Sequence, residues 1–262
     1  MSEVQRRPAS SISPERRYGI AISVALILGG GYWALTSLTE EAKATQGTYP
    51  VQGTSFTIES SSADLEVRSG DVREVTVDRK FERNVFGSDP KETYQDGRLQ
   101  VQDTSCGFLS FGCDTSYVVT VPRNVKVTVE STSGDLKASD LPAGASLKTT
   151  SGNIDASNVG GQLSLDSTSG DVEARDLTAS EVSANATSGG IELTFQDAPT
   201  TVSAEASSGD VTVLLPGGTQ AYKVDADTSS GDESINVKMD PAATNTIKAN
   251  TSSGDVTIEY SS

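Results

Sequence analysis

An all-β, single-layer β-solenoid of about eight coils, of the β-helix or β-roll kind, is the fold this sequence predicts, with one transmembrane helix before it. Three observations carry that expectation. Ser-Gly followed by Asp, Asn or Gly recurs with glycines at 134, 152, 170, 189, 209, 231 and 254, a spacing of 18 to 23 residues. Self-similarity at a period near twenty marks a solenoid. Apolar residues alternate with period two on both sides of each glycine, the pattern of half-buried strands. Finally, Gly19–Leu38 is twenty residues without a charge, close to the ~20 that cross a bilayer.

The N-terminal stretch comes first. Arg6, Arg7, Arg16 and Arg17 precede the apolar span, and Glu40 and Glu41 follow it. By the positive-inside rule residues 1–18 are a cytoplasmic tail, 19–38 the membrane helix, 39–50 a linker and 51–262 an extracellular domain. Tyr32 and Trp33 fall near the outer end, where amphipathic rings favour the interface. Two rival readings stand beside a retained anchor: a signal-peptidase site at "AKA", Ala42–Ala44, and twin-arginine export through Arg16–Arg17.

A worn first coil follows. Phe56, Ile58, Ser60, Ala63, Leu65 and Val67 fit the repeat, with Ala63 in the glycine place. Residues 70–122 then depart from it. "REVTVDRKF", "GRLQV" and "SYVVTVP" read as strands separated by turn signals. Terminal elements of a solenoid differ from its middle, so this excursion is expected to cap the core. It contains both cysteines, Cys106 and Cys113, and two nearby cysteines outside a membrane predict a disulfide. Within "CGFLSFGC", Phe108, Leu109 and Phe111 are either a rigid contact tip, since aromatics anchor interfaces, or a plug on the solenoid end.

The regular coils run from Val127 onward. Seven residues before each glycine stand Val127, Ala145, Leu163, Val182, Val202, Val224 and Ile247; three before, the residue is always small: Ser131, Thr149, Ser167, Ala186, Ala206, Thr228 or Thr251. Two after stand Leu136, Ile154, Val172, Ile191, Val211 and Val256. Each phrase is a coil corner: glycine supplies backbone freedom, a small residue fits inside, and Asp or Asn bonds its own loop. The corner set is Gly134–Asp135, Gly152–Asn153, Gly170–Asp171, Gly189, Gly209–Asp210, Gly231–Asp232 and Gly254–Asp255. After Gly231 the inward place holds Glu233, and the apolar pattern resumes at Ile235, which suggests a bulge. The chain stops directly after a strand, so the C-terminal coil is expected to be an open end that pairs with a second copy or a partner.

Composition excludes several function classes. The chain carries 20 Lys+Arg against 36 Asp+Glu, a formal charge of −16, which disfavours nucleic acid. It has no histidine, which removes Ser-His and Cys-His nucleophiles. The corner carboxylates resemble a calcium ladder in spacing, but Gly190 offers no ligand and the second turns "DLPAG", "NVGG" and "DLTAS" lack the Gly-rich loop of a calcium roll. Corner capping is the preferred reading, with no metal and no cofactor. A carboxylate pair at the spacing of a glycosidase would arise by chance among so many acids. "SDPK", Ser88–Lys91, has the Ser-x-x-Lys spacing of penicillin-interacting enzymes without its companion motifs, and Pro90 blocks the helix that pattern needs.

"RNVKVTVESTSGDLKASDL", "STSGDVEARDL", "SSGDVTV" and the two-cysteine loop before "VTVPRNV" resemble one family. It is the bacterial putative-adhesin domain of unknown function, grouped with the toastrack envelope domains. The resemblance covers roughly Gly53 to Tyr260. It implies a single-layered β-solenoid on a membrane anchor and carries over no catalytic residue. Three roles follow as expectations: a cell-surface binding module with an envelope protein or surface ligand as partner, an accessory of envelope-stress signalling acting through a membrane protein, or a passive spacer. The exterior part has no tryptophan, which leans binding toward protein or charge rather than stacked sugars.

Overall fold

The computed structural model describes residues 43–81, 91–102 and 115–261. The apolar span 19–38 and the loop with Cys106, Phe108, Leu109, Phe111 and Cys113 lie outside the described residues. What is described is all-β, and no helix among those residues is long and apolar enough to cross a membrane.

At the start of the chain lie β1 (Lys43–Tyr49), β2 (Ser55–Ser60), β3 (Asp64–Gly70), β4 (Val75–Phe81), β5 (Lys91–Gln95), β6 (Arg98–Gln102) and β7 (Thr115–Pro122). The regular coils are β8 (Lys126–Ser133) with β9 (Leu136–Leu141), β10 (Ala145–Ser151) with β11 (Ile154–Val159), and β12 (Gln162–Ser169) with β13 (Val172–Leu177). They continue through β14 (Glu181–Ser188) with β15 (Ile191–Phe195), and β16 (Thr201–Ser208) with β17 (Val211–Leu215). The last are β18 (Lys223–Thr228) with β19 (Glu233–Asn236), and β20 (Thr246–Ser253) with β21 (Val256–Tyr260).

Two long sheets receive the strands, alternately from β7 onward. One has the order β1-β4-β7-β3-β9-β11-β13-β15-β17-β21-β19, the other β18-β20-β16-β14-β12-β10-β8-β2-β6-β5. From β3 and β2 onward every neighbouring pair is parallel. A chain that crosses between two facing parallel sheets at every corner has the connectivity of a β-solenoid. Inward residues form columns: Leu136, Ile154, Val172, Ile191, Val211 and Val256 stack in one sheet, and Val127, Ala145, Leu163, Val182, Val202 and Ile247 in the other. All are 3% exposed or less and belong to one core. Burying each large aliphatic contributes about 1.5–3 kcal/mol.

The coil order departs from sequence order at both ends. After coil β2/β3 the chain runs outward, lays β4 antiparallel on β7 and β5 antiparallel on β6, and stacks β6/β7 on β2/β3. It then returns to the other side of β2/β3 to begin β8/β9. At the far end the mirror event occurs. Coil β20/β21 pairs with β16/β17 on one side and with β18/β19 on the other. The C-terminal coil is therefore inserted, and the outermost layer is the mid-chain coil β18/β19. This corrects the expectation of an open C-terminal strand. A terminal coil held covalently at both of its ends does not fray as a free terminus would.

Two further expectations are corrected. Residues 39–50 are not all linker, because β1 pairs antiparallel with β4 through Tyr49↔Val75. Glu233 lies in register with Val256, and Ile235 with Ile258, without a shift. The charge thus occupies an ordinary inward place and makes no bulge. It is tolerated because its coil is the last, where that place is exposed. Irregularity falls instead at the second turn: β11 skips Asn158 against β9, and the β13–β15 register shifts between Ala174 and Leu177. Asp140, Asn158 and Asp176 there have φ of 55°, 51° and 53°, a left-handed conformation that Asp and Asn tolerate best after glycine.

Candidate functional site

The corners stack in one line down an edge of the solenoid. Gly152 has φ +138° and Gly170 φ +134°, a region that L side chains rarely enter. A Cβ on Gly152 would lie 2.1 Å from the Gly134 carbonyl oxygen, and one on Gly170 2.1 Å from that of Gly152. Glycine is thus demanded twice, by conformation and by the approach of the next coil. Inside the corner Ser131, Thr149, Ser167, Ala186, Ala206 and Thr251 are 9% exposed or less. Some corner hydroxyls tether neighbouring coils: Thr251 Oγ1 donates to the Gly209 carbonyl (2.9 Å), and Thr228 Oγ1 to that of Gly254 (2.9 Å).

The corner carboxylates do not bond their own loop, as the sequence suggested; they accept from the next coil. The Asp135 N–H donates to Asp64 Oδ1 (2.9 Å), Asn153 N–H to Asp135 Oδ1 (2.8 Å), and Asp171 N–H to Asn153 Oδ1 (3.0 Å). Gly190 N–H donates to Asp171 Oδ1 (2.8 Å). Gly190 has no side chain, so the ladder breaks there. It resumes where Asp255 N–H donates to Asp210 Oδ1 and Asp232 N–H to Asp255 Oδ1, both 2.8 Å. The sequence 210, 255, 232 repeats the inserted coil order in hydrogen bonds. One oxygen of Asp64, Asp135, Asp171, Asp210 and Asp255 is thereby occupied, and the described residues hold no group of three or more His, Cys, Asp or Glu placed to share a metal.

Beside this ladder a shallow groove on the first sheet is lined by Asp135, Lys137, Asn153, Asp155, Asp171 and Glu173. Arg175 pairs with two of these acids, with Nη2 to Asp155 Oδ1 at 3.0 Å and Nη1 to Glu173 Oε1 at 2.6 Å. Asp155 above all raises the Arg175 guanidinium pKa, with Glu173 adding to it. On the second sheet, outward rows repeat in register. Thr57, Thr128, Ser146, Ser164, Ser183 and Ser203 form one, and Glu59, Glu130, Lys148, Asp166, Asn185 and Glu205 form the next. Lys248 extends the first row and pairs with Glu205 at 2.5 Å, which raises the ammonium pKa.

The cap end carries a cluster that sequence reasoning missed. Tyr49 on β1 donates to Glu92 Oε2 on β5 (2.5 Å), and Arg79 Nε on β4 meets Glu92 Oε1 (2.5 Å). Only 8% of the Glu92 side chain is exposed. Tyr94 lies 5.1 Å from Tyr49 and stacks at 6.1 Å on Phe56. Aromatic rings therefore pack over the core at this end. Burial, and then the Glu92 carboxylate, push the Tyr49 phenol up to about 12. Antiparallel capping strands bring these residues together from distant parts of the chain, so no local motif announced them.

A register-locked parallel scaffold with a glycine and carboxylate ladder defines an all-β repeat protein. More specifically, the chain belongs to the Toastrack DUF4097 family, which matches residues 54–162 and 126–259. It thus carries a toastrack-type domain. Among solved structures it is similar to a putative adhesin from Bacteroides fragilis NCTC 9343, at 18% identity over 84% of this chain and 97% of that one, with a TM-score of 0.49. A putative adhesin from Parabacteroides distasonis ATCC 8503 shares 11% identity over 84% and 97%, TM-score 0.46. A putative cell adhesion protein from Clostridium sporogenes ATCC 15579 shares 12% over 84% and 100%, TM-score 0.35. No curated protein matches.

Proposed function

We propose that this protein is a non-enzymatic binding module of the bacterial envelope, held at the cell membrane by the apolar span 19–38 with its β-domain outside. The observation that carries this reading is the pair of outward rows on the second sheet. Six consecutive layers present small hydroxyls in one line, and charged or amide groups in the next, with no register shift. Side chains repeating every ~4.8 Å on a rigid face suit an extended, repetitive ligand, whose successive units meet the same contact again. Weak contacts repeated in this way gain strength by multivalency. The surplus of acidic residues favours a partner carrying positive or polar groups over nucleic acid.

Co-sedimentation of the 43–262 fragment with intact cells and with stripped cell-wall sacculi tests this. Saturable binding that survives moderate salt, and is lost when Ser146 and Ser183 are both replaced by Lys, supports the surface module. Absence of binding to both preparations overturns it. The role as an accessory of envelope-stress signalling would then take its place, with the membrane partner sought by crosslinking the full chain.

A further inference from the structure

We infer that Glu233 selects the order in which the last two coils stack: it bars coil β18/β19 from closing directly on β16/β17, and so keeps that place for the C-terminal coil β20/β21. The two coils are nearly interchangeable. On β16, strand β20 sets Ile247 against Val202, Ala249 against Ala204 and Thr251 against Ala206. Strand β18 shares this register through β20, so laid on β16 it would set Val224, Ala226 and Thr228 against the same three residues. On β17, Ile258 stands against Val213, and Ile235, in register with Ile258, would fit there too. The corners do not discriminate either. Asp255 and Asp232 each send an N–H to a carboxylate of the neighbouring coil, and Thr251 and Thr228 each donate to a glycine carbonyl of that coil.

Chain order favours the sequential arrangement. Residues 216–222 join β17 to β18, whereas β20 begins only at Thr246, so β18/β19 reaches the open end of β16/β17 first and closes the shorter loop. One place resists. In the sequential order Glu233 would lie between Val211 and Val256, both 0% exposed, and a carboxylate enclosed between apolar neighbours is strongly disfavoured. In the inserted order the same side chain is exposed. Its Oε1 there accepts the Thr228 N–H (3.3 Å), on the side of β18 away from β20, because Lys223 and Ser229 send theirs toward β20.

The selection also decides what the end of the solenoid shows to solvent. Ile247, Val256 and Ile258 are 1% exposed or less in the inserted coil, while the outer coil presents Glu233, Ser234 and Asn236. An inward charge on an edge strand also guards against edge-to-edge pairing. Once inserted, the C-terminal coil is tied to both connections of the outer coil. The Lys238 N–H donates to the Tyr260 phenol oxygen, which itself donates to the Gln220 carbonyl, both at 3.1 Å.

Refolding of the full chain from urea into detergent under mild oxidation, sampled over time and read by peptide mass mapping, tests the inference. Ser203→Cys with Asp225→Cys reports the sequential order, and Ser203→Cys with Lys248→Cys the inserted one. With Glu233 in place, and with Glu233→Lys, the 203–225 link should stay at background throughout. With Glu233→Val or Glu233→Ala it should rise about tenfold or more at early times, because no ion is enclosed. A 203–225 link no stronger in folded Glu233→Val and Glu233→Ala chains than in the Glu233 chain would overturn the inference. So would a link in Glu233→Lys equal to that in Glu233→Val, since an inward charge would then be no bar.

Discussion

Replacing Gly170 by alanine probes the corner ladder at its centre. The new Cβ would sit 2.1 Å from the Gly152 carbonyl oxygen, 2.6 Å from its carbon and 3.1 Å from Asn153 Oδ1. The first two are backbone atoms, so relief requires the coils to part. Gly170 also holds φ +134°, and a non-glycine residue forced into a sparsely populated region costs about 1–3 kcal/mol. Overpacking adds about 1–3 kcal/mol, and the total is roughly 2–6 kcal/mol. Gly217 is the control, with nothing within 4 Å of its virtual Cβ and no positive φ, and its alanine variant should lie within about 0.5 kcal/mol of wild type. Gly231 refines the test. Its clash is closer, 1.9 Å to the Gly254 oxygen, yet its coil has a neighbour on one side only and can move away. Gly231→Ala should therefore cost less than Gly170→Ala. Urea unfolding of the 43–262 fragment measures all three. A Gly170→Ala midpoint equal to that of Gly217→Ala would refute the steric account of the corner.

Three further expectations follow from the geometry. Asp171→Ala removes the acceptor of the Gly190 N–H at an exposed rung, and a loss of about 0.5–1.5 kcal/mol is expected in urea unfolding; no change would mean water replaces the rung fully. Glu92→Ala leaves Arg79 and Tyr49 without their shared partner at the cap, and breaking a largely buried pair should cost about 3 kcal/mol or more, with hydrogen exchange rising first in β1, β4 and β5. The Tyr49 phenol is raised to about 12 in the folded state, whereas an unfolded tyrosine ionises near 10. The folded chain therefore keeps a proton that the unfolded chain loses, and stability present below pH ~10 falls as pH rises toward ~12. Tyr49→Phe should flatten that fall in urea midpoints, and an unchanged slope would contradict the assignment.

Much of this was legible in the sequence because a solenoid writes the same constraint many times. Glycine at the corner, a small residue three before it and an aliphatic two after it each recur, since every coil meets the same neighbours. The spatial order of coils was not legible for the same reason. Ile247, Ala249 and Thr251 fit against Val202, Ala204 and Ala206, but Val224, Ala226 and Thr228 would fit that place about as well. The one distinguishing mark was Glu233, a charge that only an outermost coil can hold, and its meaning depends on knowing which coil is outermost. Corner carboxylates were recognisable as hydrogen-bonding groups, but their donors lie 18 to 45 residues away. Tyr49, Arg79 and Glu92 meet through antiparallel capping strands, for which the repeat carries no information.

The inserted C-terminal coil underlies the ladder order, the identity of the open end and the role of Glu233, and paired cysteines test it directly. Ser203 is the in-register neighbour of Lys248, and Lys248 in turn of Asp225. Adjacent strands bring Cα atoms to ~4.8 Å, within disulfide range, while two layers apart lies beyond it. Mild oxidation, read by peptide mass mapping, should join Ser203→Cys to Lys248→Cys and leave Ser203→Cys with Asp225→Cys unjoined. Joining of 203 to 225, with 203 and 248 left free, would restore the sequential order and contradict the fold described for this end of the molecule.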